Sequence, residues 1–241
     1  MHNIKLVQTL VLDFGGTLAR TFDSCEGVLS VHGAVEKVIY DMLGKYALHI
    51  YRERGGLRNR APTEIISELI LLCELNPSLH DELTEEFVKR KVAILTDQIS
   101  PEWPLPTPGC VGYLRHFSDV GLQLGIISTG HETFIRRCFE MWGLKMPMAI
   151  VSEDDMRGRK TLPLHDRVKP SPALFRVFLE KLPVDPGEVL YVGDDPEKDG
   201  QFAANSGLRF CLYDPSGQRR NSGVAISHWN ELAKYVCPSQ W

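Results

Sequence analysis

Six cysteines in 241 residues (Cys25, Cys73, Cys110, Cys138, Cys211 and Cys237) form no Cys-x-x-Cys pair, and eight histidines fall without ligand spacing. Neither a thiolate nor a histidine zinc site is expected. Thiols this far apart, mostly in apolar surroundings, read as reduced and packed rather than as a disulfide framework. That usage points to the cytoplasm. Positive charge is also scarce: 27 Lys+Arg against 31 Asp+Glu leaves a net charge of −4, which argues against nucleic acid and anionic membrane surfaces as partners. No apolar run approaches the roughly 18 residues that span a bilayer. The opening Met1-His2-Asn3-Ile4-Lys5 has no apolar core of a signal peptide, so no membrane contact and no cleaved leader are expected. Internal repeats and low-complexity segments are absent as well.

What the chain does contain is an ordinary globular composition, 43% hydrophobic and 24% charged, over a length that suits one sizeable domain with a smaller insert. Strand-like runs occur at Thr9–Phe14, Leu122–Ser128, Ala149–Ser152, Val189–Val192 and Arg209–Tyr213. Each is short and nearly continuous in apolar residues, as for parallel strands covered on both faces. Helical patterns alternate with the later runs at Cys110–Val120, Glu132–Trp142, Pro172–Lys181 and Asp199–Ser206, with Ser171-Pro172 as a capped start. This alternation predicts an α/β fold, a doubly wound parallel sheet.

Residues 20–106 break the rhythm. They offer no good strand, but helical stretches near Val35–Tyr51, Thr63–Leu75 and Leu79–Leu95, the second with Ile65, Ile66, Leu69, Ile70, Leu72 and Cys73 at helical spacing. Pro101, Pro104, Pro106 and Pro108 then make a stiff connector that no helix can cross. The expected domains are a core of residues 1–19 and 107–241 and an all-helical insert of residues 20–106.

Ligands of open α/β sheets bind outside the carboxyl ends of the strands. Asp13 ends the first run and enters Phe14-Gly15-Gly16-Thr17-Leu18; Ser128-Thr129-Gly130 ends the second; Gly193-Asp194-Asp195 ends the fourth; Lys169 precedes a helix that starts near the same edge. Two or more carboxylates, a hydroxyl and an ammonium would therefore converge on one cleft. Clustered carboxylates suit a hard divalent cation such as Mg²⁺, while a hydroxyl, a lysine and helix N-terminal amides suit a phosphate dianion. A carboxylate left free to attack phosphorus would form an aspartyl phosphate.

The four segments, Val11–Leu18, Leu124–Gly130, Val168–Phe175 and Val192–Asp199, resemble in order the four motifs of the haloacid dehalogenase (HAD) superfamily, in particular members with a helical type 1 cap. The resemblance runs over essentially the whole chain and implies a Rossmann-like core with 20–106 as the cap. It implies Asp13 as nucleophile, Ser128 and Lys169 as its catalytic partners, and Asp13, Asp194 and the Gly15 carbonyl as ligands of Mg²⁺. Thr17, Thr129 and Gly130 would bind the substrate, with Asp195 and Asp199 in support. The implied activity is hydrolysis of a small phosphorylated metabolite by a monomer or homodimer.

One position departs from the family's phosphatases. They carry a second aspartate two residues after the nucleophile, to protonate the leaving oxygen and activate water, and here that residue is Gly15. General acid–base help is worth about 10²–10⁴-fold, so poor leaving groups should turn over slowly and acyl phosphates or anhydrides should suffer less. Phosphonatases have a small residue there and use a cap lysine, for which Lys37 and Lys45 are candidates. Dehalogenases have a bulky one and lack the acidic fourth motif. A catalytically weakened binding or regulatory protein is the remaining alternative. Arg52, Arg54, Arg58 and Arg60 around Gly55-Gly56 read as a solvated turn or as an anion site. His131 reads as a local cap or a cleft residue, Met156–Asp166 as a loop beside the cleft, Trp103 as hinge packing and Trp142 as core.

Overall fold

The computed structural model describes residues 6–23, 25–57, 61–218 and 224–236. The chain divides into two compact units, Met1–Arg20 with Pro104–Trp241, and Thr21–Trp103.

Among the described residues, the first unit holds six parallel strands: β1 (Thr9–Leu12), β2 (Gln123–Ile127), β3 (Ala149–Val151), β4 (Val189–Gly193), β5 (Arg209–Tyr213) and β6 (Ala225–Ile226). Their order is β3-β2-β1-β4-β5-β6. The doubly wound parallel sheet is therefore as expected, with a short sixth strand added at the edge. The chain builds outward from β1 to β3, then returns to lay β4 on the other side of β1, so the crevice of this sheet lies at the carboxyl ends of its central strands.

Pairing is in register across the centre, with Val11 opposite Gly125 on one side and Tyr191 on the other. Val11, Ile127, Val151, Tyr191, Phe178 and Phe202 belong to one buried cluster to which α7 (Ala173–Lys181) and α8 (Gln201–Asn205) contribute. Burying such side chains is worth about 1.5–3 kcal/mol each, which is why these strands read as unbroken apolar runs. This unit also contains α4 (Cys110–Asp119), α5 (Glu132–Met141), α6 (Glu153–Gly158) and α9 (Ala233–Val236).

Two expectations change in detail. The stretch Asp199–Ser206 opens instead with a wide π turn, Pro196–Gly200, because Asp195 caps the amides of Glu197 and Lys198 before α8 begins. The expected loop Met156–Asp166 starts inside α6, whose Ser152 amide and hydroxyl both bond Asp155, and ends in a 3-10 turn at Leu164–Arg167.

The second unit contains α1 (Val31–Glu53), α2 (Pro62–Leu72) and α3 (His80–Asp97). Val38, Ile39, Ile66, Leu69 and Phe87 form its core. Helix α1 begins four residues before the periodic apolar pattern, at the Ser30 hydroxyl that accepts from Gly33 N, and is broken inside at Gly44, whose φ of 84° is left-handed. Trp103 is buried in this unit and donates through Nε1 to Asp23 O at 3.1 Å. No helix among the described residues is long and apolar enough to cross a membrane. Cys110, Cys138 and Cys211 are buried free thiols, Cys25 is exposed and Cys73 half-buried. Cys237, Arg58 and Arg60 lie outside the described residues.

Candidate active site

Asp13 follows β1 directly. Its amide donates to Val192 O at 2.8 Å, so the ladder runs one residue past the strand and sets the carboxylate at the sheet's edge. Beyond it the chain closes on itself, with Leu18 N and Ala19 N donating to Phe14 O and Gly16 N donating to Ala19 O. Gly16 has a φ of 87°, and a Cβ there would lie 2.5 Å from Asp194 Oδ2, so only glycine serves. Gly15 is different: its φ is not in the left-handed region. Phe14 fixes the turn from below by stacking on Trp142 and meeting Phe134 edge-on.

The buried Thr17 hydroxyl lies 3.0 Å from Asp194 Oδ1 and 3.5 Å from Asp13 Oδ2, between the two carboxylates. Thr107 Oγ1 donates to Thr17 O at 2.8 Å and accepts from Trp229 Nε1 at 3.0 Å. Thr17 thus organises the acids.

Lys169 reaches in beside them. Its ammonium donates to Asp13 Oδ1 at 2.5 Å and to Asp199 Oδ1 at 2.7 Å. Asp199 is enclosed: Oδ1 also accepts from Tyr191 Oη at 2.9 Å, Oδ2 accepts from Asp195 N at 3.1 Å, and a Cβ on Gly193 would lie 2.4 Å from it. Asp195 meets the group through its backbone, since its own carboxylate caps the following turn.

The β2 end contributes the Ser128 loop. Ser128 N donates to Val151 O at 2.9 Å and its buried Oγ accepts from Gly130 N at 3.0 Å, while Thr129 is exposed and Gly130 half-buried. Tyr191 Oη lies 3.4 Å from Ile127 O, which brings this loop alongside the carboxylates. Asp13, Thr17, Lys169, Asp194 and Asp199 are thus joined by direct contacts, with Ser128 adjoining.

The electrostatics follow from burial. Desolvation, helped by Asp199 and Asp194 and opposed by Lys169, pushes the Asp13 pKa up to about 7. Asp194 is raised by burial and by Asp199, against its bond from Thr17. Burial works against the Lys169 ammonium, but Asp13 and Asp199 outweigh it and hold its pKa above the ordinary lysine value. Lys169 is the ammonium bonded to these acids, and the half-buried Lys198 adds a more distant positive charge.

One oxygen from each of Asp13, Asp194 and Asp199 lies within 4.8 Å of the other two, a hard donor set that suits a divalent cation. Because Lys169, Tyr191 and the Asp195 amide already occupy Asp199, the residues that fit a cation are Asp13 and Asp194.

One structural group was invisible in the sequence. His131, buried behind the Ser128 loop, places Nδ1 3.2 Å from Asp154 Oδ1 and 3.5 Å from Glu153 Oε2, and Arg157 binds both acids. Asp154 Oδ2 accepts from Glu132 N at the start of α5, and Glu153 N donates to Gly130 O. Burial works against the Asp154 charge, but His131, the Glu132 amide and Arg157 hold its pKa below the carboxylate range. With Arg157 inside it, this cluster is an ion-pair brace for the loop. Arg159 pairs with Glu180, Arg52 with Glu36 and the exposed Lys37 with Asp41, while Lys45 is exposed.

A family model of haloacid dehalogenase-like hydrolases matches residues 7–207. The chain belongs to this family. Within it, "Putative phosphatase YhcW" of Bacillus subtilis (strain 168) is 26% identical over 219 residues, covering 88% of this chain and 84% of that one. CbbY from Rhodobacter sphaeroides, solved in complex with phosphate, superposes with a TM-score of 0.65 at 18% identity, over 94% of this chain and 96% of CbbY. The putative HAD-hydrolase YfnB from Bacillus subtilis, bound to magnesium, gives a TM-score of 0.60 at 15% identity, over 96% and 99% of the two chains. The haloacid dehalogenase-like fold thus accounts for both the sheet and the edge at which the acids gather.

Proposed function

We propose that this hydrolase is a Mg²⁺-dependent phosphohydrolase of small phosphorylated metabolites, working through an aspartyl phosphate on Asp13. The observation that carries it is the shared ammonium: Lys169 holds Asp13 Oδ1 at 2.5 Å while Asp199 anchors Lys169 from behind. A carboxylate so placed is oriented and ionisable yet keeps an oxygen for attack. Asp13, Asp194 and the Gly15 carbonyl would hold Mg²⁺, which when bound supplies positive charge for the phosphoryl oxygens. In support, a relative of this fold was solved with phosphate and another with magnesium.

In the first step a carboxylate oxygen of Asp13 forms a bond to phosphorus, and the bond from phosphorus to the leaving oxygen breaks with its electron pair. Lys169 and the Ser128 loop meet the charge on the transferring group. Water then attacks phosphorus, releases phosphate and restores the Asp13 carboxylate. Gly15 gives the departing oxygen no carboxylic acid from the first motif. The reading therefore favours substrates whose leaving group needs no proton, acyl phosphates and phosphoanhydrides, over alkyl phosphates. The helical unit, residues 21–103, is the proposed cap, and the buried reduced thiols suit a reducing compartment.

The phosphonatase alternative loses support, because an imine-forming lysine needs desolvation and Lys37 is exposed and paired with Asp41. A panel assay with Mg²⁺, acetyl phosphate and p-nitrophenyl phosphate tests the proposal. Turnover should disappear in Asp13→Ala. Silence of the folded wild-type protein on every substrate would refute it and favour a phosphate-binding role.

A further inference from the structure

We propose that Tyr191 is a positioning residue for this chemistry: its buried hydroxyl fixes the Asp199 carboxylate and thereby aims Lys169 at Asp13. The proposal rests on the phosphohydrolase reading above and adds to it a residue outside the four motif acids, hydroxyl and lysine.

Tyr191 stands in the middle of β4 with no exposed surface, in a run where Val189, Leu190 and Val192 are all buried. Its ring packs edge-on against Phe202 and stacks near Phe210, with centroids 4.9 and 6.4 Å away. Phenylalanine would make those contacts equally well. The hydroxyl therefore adds nothing to the core except a desolvation cost, unless it has a partner. Its nearer partner is Asp199 Oδ1, at 2.9 Å, the same oxygen that accepts from Lys169 at 2.7 Å, with Ile127 O farther off at 3.4 Å.

The consequence is geometric. Oδ1 of Asp199 is held by two donors, Oδ2 by the Asp195 amide, and the bare Gly193 backbone closes the space beside it. Rotation of this carboxylate would break bonds on both oxygens. Lys169 Nζ also lies 5.5 Å from the Tyr191 ring centroid, over its face, where the ring's electron density attracts a cation. One side chain thus constrains the ammonium twice, through Asp199 and through its own ring. Without the hydroxyl, Asp199 would keep only Lys169 and the Asp195 amide of these three donors, and Lys169 would be held less firmly toward Asp13.

The test is Tyr191→Phe, which keeps the ring packing. With Mg²⁺ and acetyl phosphate, kcat should fall about tenfold, the size of one net hydrogen bond acting on the transition state, with KM within about twofold. A double-mutant cycle with Asp199→Asn should show no further loss when the hydroxyl is removed from the Asn background. Mg²⁺ affinity measured by calorimetry should be unchanged in Tyr191→Phe. Full kcat in Tyr191→Phe, losses that multiply in the cycle, or a tenfold weaker Mg²⁺ site would each overturn the proposal. Should the Phe variant fail to fold, Asp199→Asn alone must lower kcat without moving KM, and an unaltered kcat overturns it. An inactive wild-type protein defeats the function itself, whereas an active wild type beside an equally active Tyr191→Phe defeats only the role given to the phenol.

Discussion

Lys169 Nζ lies 2.5 Å from Oδ1 of Asp13, two side chains 156 residues apart in the chain that meet at the edge of the sheet. This pairing is what allows Asp13 to ionise in a buried site that it shares with Asp194 and Asp199. It does not fully compensate, because burial and the neighbouring acids still push Asp13 up to about 7.

The sign of the pH dependence follows. A carboxyl raised from 3.8 to about 7 binds its proton more tightly in the folded state, so its stabilising contribution is full at low pH. That contribution is lost as pH rises from the ordinary carboxylate range through about 7. The melting temperature of metal-free protein should fall across this window relative to Asp13→Asn, whose profile should be flatter there. Mg²⁺ must displace the same proton, so its affinity should weaken by up to about tenfold per unit below that pKa. Calorimetry in buffers of different ionisation enthalpy reads the released proton.

The backbone of Gly15 is in a conformation that other residues adopt, whereas that of Gly16 is not. Only Gly16 has a left-handed φ and a side-chain position already filled by Asp194. Gly15→Asp should fold and place a carboxyl within the first loop. Turnover of alkyl phosphates should rise by about 10²–10⁴-fold, while acetyl phosphate changes little. An unchanged ratio between the two substrate classes would show that proton supply does not limit this site.

Asp154 braces the Ser128 loop through His131, Arg157 and the Glu132 amide. Its depressed pKa means that its stabilisation is present above the ordinary carboxylate range and is lost as pH falls through the folded value. Asp154→Ala should therefore lower the melting temperature at pH 7 and lose less on acidification than the wild type. Its KM for acetyl phosphate should rise several-fold as the loop loosens, measured beside a melting curve at the same pH.

The sequence exposed the residues whose chemistry stands at the ends of strands. Asp13, Ser128 and Asp194 each follow an apolar run and Lys169 precedes a helix, and polar groups at such places are conspicuous. Tyr191 was hidden because, inside a strand, tyrosine reads as one more apolar residue and its hydroxyl points to a partner supplied by the next turn. The brace of His131 by Glu153 and Asp154 was hidden for another reason: it joins the start of α5 to the first turn of α6, and no local spacing encodes such a pair. The break at Gly44 was hidden too, because the apolar period continues on both sides of it. The two-residue β6 was too short for any periodicity to register.

The covalent step is the centre of the account. Wild-type protein mixed with Mg²⁺ and acetyl phosphate, quenched in acid within one turnover and mapped by peptide mass spectrometry, should carry a base-labile phosphoryl group on Asp13. A phosphoryl group on another residue, or undiminished turnover in Asp13→Asn, would contradict it.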